Sequence, residues 1–111
     1  MKILIVDDLE VIVETTKEML DKLGDFEVFV AFDGIEAVSL YENETPDVVF
    51  MDVRMPNMDG CLASSLIKME YPNAIIYGVS SDTNIGCKDN FKELFTKPLT
   101  VNKLKDIINA V

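Results

Sequence analysis

The sequence predicts an α/β protein with a parallel sheet covered on both faces by helices. Two observations predict it. Strand-like and helix-like segments alternate from one end of the chain to the other. The strand-like runs are also nearly continuous in apolar residues, as in strands buried on both faces. A length of 111 residues suits one domain, residues 1–111, with a single real core.

The elements follow in order. Ile3-Leu4-Ile5-Val6 reads as the first strand. Leu9, Ile12, Val13, Thr16, Met19, Leu20 and Leu23 then recur at helical spacing, and Gly24 closes that helix. A second strand is expected over Phe26 to Phe32. Asp33 and Glu36 follow as a capping box, opening a helix that turns Ile35, Val38 and Tyr41 inward and stops before Pro46. Val48 to Met51 is the third strand. A third helix starts near Asp59-Gly60, with Leu62, Leu66 and Met69 on one side, and ends before Pro72. Ala74 to Val79 makes a fourth strand and Glu93 to Thr96 a short fifth. Thr100 caps a last helix whose inner face is Val101, Leu104, Ile107 and Ile108.

Composition removes whole classes of function. Apolar residues make up 49% of the chain, enough for a folded protein, yet no run approaches the length of a membrane span. The first apolar run is too short for the core of a signal peptide, so a cytosolic location is expected. Twenty acids against ten bases leave a net charge of −10, which repels nucleic acid and anionic lipid, and no basic cluster offsets it. There is no histidine, which excludes Ser-His-Asp and Cys-His catalysis, histidine zinc sites, and any phosphohistidine carried by the chain itself. Cys61 and Cys87 form no CxxC pair and are expected as two free thiols with a packing role.

The candidate site lies where apolar runs meet polar residues. Parallel α/β sheets bind ligands at the carboxyl ends of their strands. Asp7 and Asp8 follow the first strand, Asp52 the third, Ser80 the fourth and Lys97 the fifth. Right-handed crossovers bring these ends to one edge of the sheet. Asp7-Asp8 alone also reads as solvated acids opening a helix, and Ser80 or Lys97 alone as an ordinary loop residue. An acid directly after Val48-Val49-Phe50-Met51 is harder to explain structurally, because such a buried position rarely holds an unpaired charge. Three carboxylates at close range repel one another. Lys97 offsets one charge, and a hard divalent cation such as Mg²⁺ offsets the rest. Beside a metal and a lysine, Asp52 is placed to attack phosphorus, with Lys97 and the Ser80 hydroxyl available to the phosphoryl oxygens.

On ILIVDDLE, DVRMPNMDG, VSS and FTKP, in this order along the whole chain, the sequence resembles a response-regulator receiver domain of two-component signalling. The resemblance implies a flavodoxin-like, doubly wound sheet of five strands in the order 2-1-3-4-5, with five helices. It implies that Asp52 accepts a phosphoryl group from a phosphohistidine on a separate histidine kinase or phosphotransfer protein. Asp8, Asp52 and the Arg54 backbone carbonyl would ligate Mg²⁺ directly, with Asp7 acting largely through water. Ser80 and Lys97 would engage the phosphoryl group, and the Lys97-Pro98 peptide would be cis. Phosphorylation would change binding to an output protein. A receiver-like adaptor that binds partners without phosphorylation is the competing reading. A flavin or dinucleotide site is disfavoured, because Asp7, Asp8 and Glu10 stand where a phosphate-cradling loop belongs.

Two departures from the family are visible. Only twelve residues, Ser81 to Lys92, join the fourth strand to the fifth, about the minimum for such a crossover, and Gly86 lies among them. A short or irregular fourth helix near Cys87 to Lys92 is therefore expected. The position usually held by a switching aromatic is Leu94, with Phe95 directed to the opposite face. Arg54 and Asp82, each two residues beyond a site residue, are expected to pair across the pocket mouth and modulate loss of the phosphoryl group.

Overall fold

A computed structural model describes every residue of the chain except Thr83. Five strands are present: β1 (Lys2–Val6), β2 (Glu27–Ala31), β3 (Val48–Asp52), β4 (Ile76–Ser80) and β5 (Glu93–Thr96). They form one parallel sheet in the order β2-β1-β3-β4-β5. The helices are α1 (Glu10–Asp21), α2 (Gly34–Glu44), α3 (Gly60–Glu70) and α4 (Val101–Ala110). No helix among the described residues is long and apolar enough to cross a membrane.

Side chains alternate across each strand, so the sheet carries two cores. Ile3, Ile5, Val48, Phe50, Tyr77 and Phe95 meet Val13 and Leu20 of α1 and Leu104 and Ile107 of α4. On the other face Leu4, Val6, Val49, Met51 and Ile76 meet Ala37 and Tyr41 of α2 and Ala63 and Ile67 of α3. Every residue of β3 and β4 is buried, which accounts for their unbroken apolar character up to the last residue. Leu104 is fully enclosed, and Leu104→Ala would cost about 3 kcal/mol.

Local chemistry sets the helix ends. Asp33 accepts the Glu36 amide at 2.9 Å, Asp59 the Leu62 amide at 2.8 Å and Thr100 the Lys103 amide at 3.2 Å. The Glu36 carboxylate reaches back one residue beyond the cap, accepting from the Phe32 amide at 2.7 Å. Helix α1 ends at Asp21, before Gly24, whose amide nevertheless reaches the Leu20 carbonyl at 3.2 Å.

The inner faces of two helices are not set by their largest apolar residues, and Ile35, expected inward, lies outside. Leu62, Leu66 and Met69 of α3 point to solvent, as does Ile35 of α2. The residues against the sheet are the small ones, Gly60, Ala63 and Ser64 together with Ile67 in α3, and Gly34 and Ala37 together with Tyr41 in α2. Small side chains let α2 lie close to β2 and β1 and α3 close to β3, so close packing decides the inner face here.

Among the described residues, the connection from β4 to β5 contains no α-helix. A single 3₁₀ turn, Lys88–Asn90, is its one regular element among the described residues, so the fold has four α-helices and not five. Phe91 fills the space instead. A Cβ at Gly78 would lie 2.9 Å from the Phe91 ring and 2.8 Å from Leu94, so the ring rests directly on the β4 backbone. Leu94 packs with the α2–α3 core and Phe95 with the α1–α4 core, the opposed orientation expected of neighbours in a strand. The cysteines are joined, not free: Cys61 in the first turn of α3 and Cys87 form a disulfide, with Cα atoms 5.7 Å apart. Without a helix to hold it away, the connection passes over the start of α3 and brings residue 87 to residue 61.

Candidate functional site

The period of two that divides the cores also assembles the site. Asp7, Asp52 and Lys97 share strand parity with Ile5, Phe50 and Phe95, so each continues the α1–α4 face past its apolar run. Asp7 and Asp52 are each only 4% exposed. The Lys97 ammonium stands between them, 3.0 Å from Asp7 Oδ2 and 3.2 Å from Asp52 Oδ1. Asp8 remains exposed, yet one carboxylate oxygen from each of Asp7, Asp8 and Asp52 lies within 4.8 Å of the others. A narrow cleft of about 80 Å³ leads from these groups between α1 and the sheet, past Ile12, Thr16, Met19 and Phe50.

Backbone contacts hold these side chains in place. The Leu9 amide donates to Asp7 Oδ1 at 3.0 Å, so both Asp7 oxygens are engaged. The Lys97 amide donates to the Ser80 carbonyl at 2.9 Å, tying the end of β5 to that of β4, and the Lys97-Pro98 peptide is cis. After Asp52 the chain turns at once. The Gly60 amide donates to the Val53 carbonyl at 2.7 Å, and a Cβ at residue 60 would strike the Asp52 carbonyl oxygen. Only glycine lets α3 begin this close to the strand end.

Charge and burial act on the site in opposite senses. Burial, then the neighbouring Asp7 carboxylate, pushes Asp52 up to about 6, against the lowering influence of Lys97. Burial alone would lower Lys97, but its bond to Asp7 and the charges of Asp52 and Asp7 carry it above the usual lysine range. One ammonium thus serves two buried carboxylates and a third nearby, leaving excess negative charge on a set of hard oxygen donors. That donor set fits a divalent cation such as Mg²⁺.

Ser80 is placed differently. It shares parity with Ile76 on the other face, is buried, and its Oγ accepts the Asp82 amide at 3.1 Å. Arg54 and Asp82 pair at 3.3 Å with both side chains largely exposed, which joins the loop after β3 to the connection after β4 at little energetic gain. The expected pairing is therefore present.

One clamp was not anticipated from the sequence. Asn57 takes a left-handed φ of 65° and its side-chain amide donates to Asp33 Oδ2 at 2.9 Å. The Gly34 amide donates to the Met58 carbonyl at 3.0 Å beside it. Together they pin the loop after Asp52 to the start of α2. The available signal was Asn57 after Pro56, since asparagine tolerates left-handed backbone better than most residues. The Asn57 bond, after that of the Glu36 amide, holds Asp33 below the usual carboxylate range.

The chain is similar to known proteins along nearly its whole length. Residues 3–109 match the profile of the Response regulator receiver domain family. A protein-glutamate methylesterase/protein-glutamine glutaminase of Rhodospirillum rubrum is 41% identical over 93 residues, covering 84% of this chain and 25% of that protein. The chain thus spans about a quarter of the length of the curated relatives it matches. Among solved structures, a CheX-CheY-BeF3-Mg complex from Borrelia burgdorferi aligns with a TM-score of 0.89 and 29% identity, over 98% of this chain and 87% of that one. The response regulator TrrA from Thermotoga maritima, in complex with Mg and BeF, aligns with a TM-score of 0.90 and 26% identity, over 98% and 96% of the two chains.

Proposed function

The chain belongs to the response regulator receiver domain family of two-component signalling, and from that premise we propose that Asp52 is its phosphoacceptor, with residues 1–111 acting as one receiver domain. The observation that carries the proposal is the buried Asp52 carboxylate held 3.2 Å from Lys97, with Asp7 and Asp8 beside it. In the transfer, an Asp52 oxygen forms the new bond to phosphorus while the phosphorus–nitrogen bond of a phosphohistidine breaks. The imidazole leaves on the donor protein, a histidine kinase or histidine phosphotransfer protein acting in trans, as a chain without histidine requires.

Asp8, Asp52 and the backbone carbonyl of Arg54 are the proposed direct ligands of Mg²⁺. Asp7 is left to act through water, because its two oxygens already accept from Leu9 and Lys97. When bound, the ion supplies positive charge to the phosphoryl oxygens. Lys97 supplies a second positive charge and holds Asp52 in position. The Ser80 hydroxyl, now bonded to the Asp82 amide, turns to the phosphoryl group once it is present, and this movement alters the surface offered to an output protein. Arg54 and Asp82 restrict access of water to the acyl phosphate. The chain catalyses only its own phosphorylation and dephosphorylation, and it acts in the cytoplasm.

The test is incubation with a small phosphodonor such as acetyl phosphate and Mg²⁺, followed by intact mass. A phosphate added to wild type but not to Asp52→Asn is expected. No addition with any donor would overturn the proposal in favour of an adaptor that binds without phosphorylation.

A further inference from the structure

We propose that Cys61 and Cys87 are a redox-exchangeable pair whose state decides how firmly the β4–β5 connection is held to α3 and, through it, how readily the site is phosphorylated. The second part rests on the phosphoacceptor reading of Asp52; the first does not.

The geometry brings together two positions that sequence separates by 26 residues. Cys61 directly follows Gly60, the residue packed on the Asp52 carbonyl. Cys87 lies in the connection that begins at Ser80 and carries Asp82, the partner of Arg54. The disulfide is thus a covalent link between the first turn of α3, just past the loop that follows Asp52, and the β4–β5 connection. It crosses where the connection has least support of its own, since among the described residues no regular element lies between Ser80 and Lys88. One other polar tie joins the same elements: the Asn90 side-chain amide donates to the Cys61 carbonyl at 3.1 Å and to Ser65 Oγ at 2.9 Å. Asn90 lies beyond Cys87, so it anchors the far end of the connection. The disulfide governs the part nearer Ser80.

Both cysteines are half-buried, not sealed in the core, and each keeps a solvent-facing side. With reduced thiols, the Asn90 bonds and the packing of Phe91 keep residue 87 near residue 61. A small disulfide such as oxidised glutathione closes the pair. One thiolate attacks it and releases one glutathione thiol, forming a mixed disulfide. The second thiolate then attacks the protein sulfur and releases the other. Two electrons and two protons pass from the cysteines to the oxidant, and excess reduced glutathione reverses both steps. In the oxidised form Cys87 is tethered to α3, and the Asp82 amide stays on the Ser80 hydroxyl. Reduction releases Cys87 and lets Ser80 turn.

The protein would be equilibrated in glutathione buffers of graded ratio. Disulfide content would be read by thiol alkylation and intact mass. Hydrogen exchange would be followed at the amides from Asn84 to Phe91, and phosphorylation would be timed with acetyl phosphate and Mg²⁺. The expected result is a reversible transition between two species, with faster exchange in the reduced form. Phosphorylation of the reduced form should be at least about fivefold faster, the lower end of a typical coupling between two sites. Both differences should vanish in Cys61→Ser/Cys87→Ser. A pair that ignores the buffer ratio, or exchange rates equal in the two forms, would overturn the clamp. Equal phosphorylation rates would overturn its coupling to the site. Absence of phosphate in both forms would sink the phosphoacceptor reading while the exchange comparison still decides the clamp.

Discussion

The Lys97 ammonium and the Asp52 carboxylate lie 3.2 Å apart, and the same ammonium reaches Asp7 at 3.0 Å. One cation therefore balances two buried anions that would otherwise repel each other. Removing it leaves both uncompensated. Lys97→Met should lower the stability of the metal-free protein by about 3 kcal/mol, as breakage of a buried pair typically does. Mg²⁺ should restore much of that loss, because the cation then meets carboxylates with no competing ammonium. Thermal unfolding with and without Mg²⁺ checks this; equal melting shifts on Mg²⁺ addition in wild type and variant would contradict it.

Asp52→Asn should stabilise the metal-free protein. The carboxyl is raised from 3.8 to about 6 by burial and by Asp7, so its ionised form is disfavoured in the folded state. At pH 7 the substitution should be worth on the order of 2 kcal/mol. The sign follows from proton binding. Below the unfolded value Asp52 is neutral in both states and its stability penalty is absent. As pH rises from 3.8 through about 6 the penalty appears, so the advantage of asparagine should grow across that window. Chemical denaturation of both proteins between pH 4 and 7 measures it.

Mg²⁺ binding should show the same ionisation from the other side. With Asp52 among the proposed ligands, the ion would require its charged form, so affinity should fall by about tenfold for each pH unit below about 6. Titration calorimetry at pH 7.5 and pH 5 would detect it. Affinity that does not vary over this interval would place the metal elsewhere.

The Arg54–Asp82 pair is exposed, and its loss should leave stability within about 0.5 kcal/mol of wild type. The role proposed for it above is kinetic. Arg54→Ala should shorten the life of the phosphorylated form by opening a path for water. An unchanged decay rate would discard the role.

What could be read from sequence and what could not divide along physical lines. The central strands β1, β3 and β4 were legible because burial on both faces makes them almost wholly apolar, and the polar ends were legible because an acid or lysine breaks an apolar run. The parity of Asp7, Asp52 and Lys97 then brings them together without reference to loops. Helix faces were harder. Leu62, Leu66 and Met69 carry the strongest apolar periodicity in α3, yet Ala63, Ser64 and Ile67 face the sheet. Periodicity weighs side chains by size, whereas close helix–sheet approach favours small ones. The clamp of Asn57 on Asp33 depends on backbone handedness, which composition shows only faintly. The Cys61–Cys87 link depends on the path of a connection with almost no regular structure, and nothing in the spacing of two cysteines reveals that path.

The replacement of a helix by Phe91 also bears on engineering. Here a single aromatic ring sits on Gly78 and against Leu94, and the neighbouring residues reach back to α3 through Asn90 and Cys87. Transplanting a helical connection would bring a second occupant to the space the ring fills. A workable chimera must therefore exchange positions 61, 78, 90, 91 and 94 together with the loop.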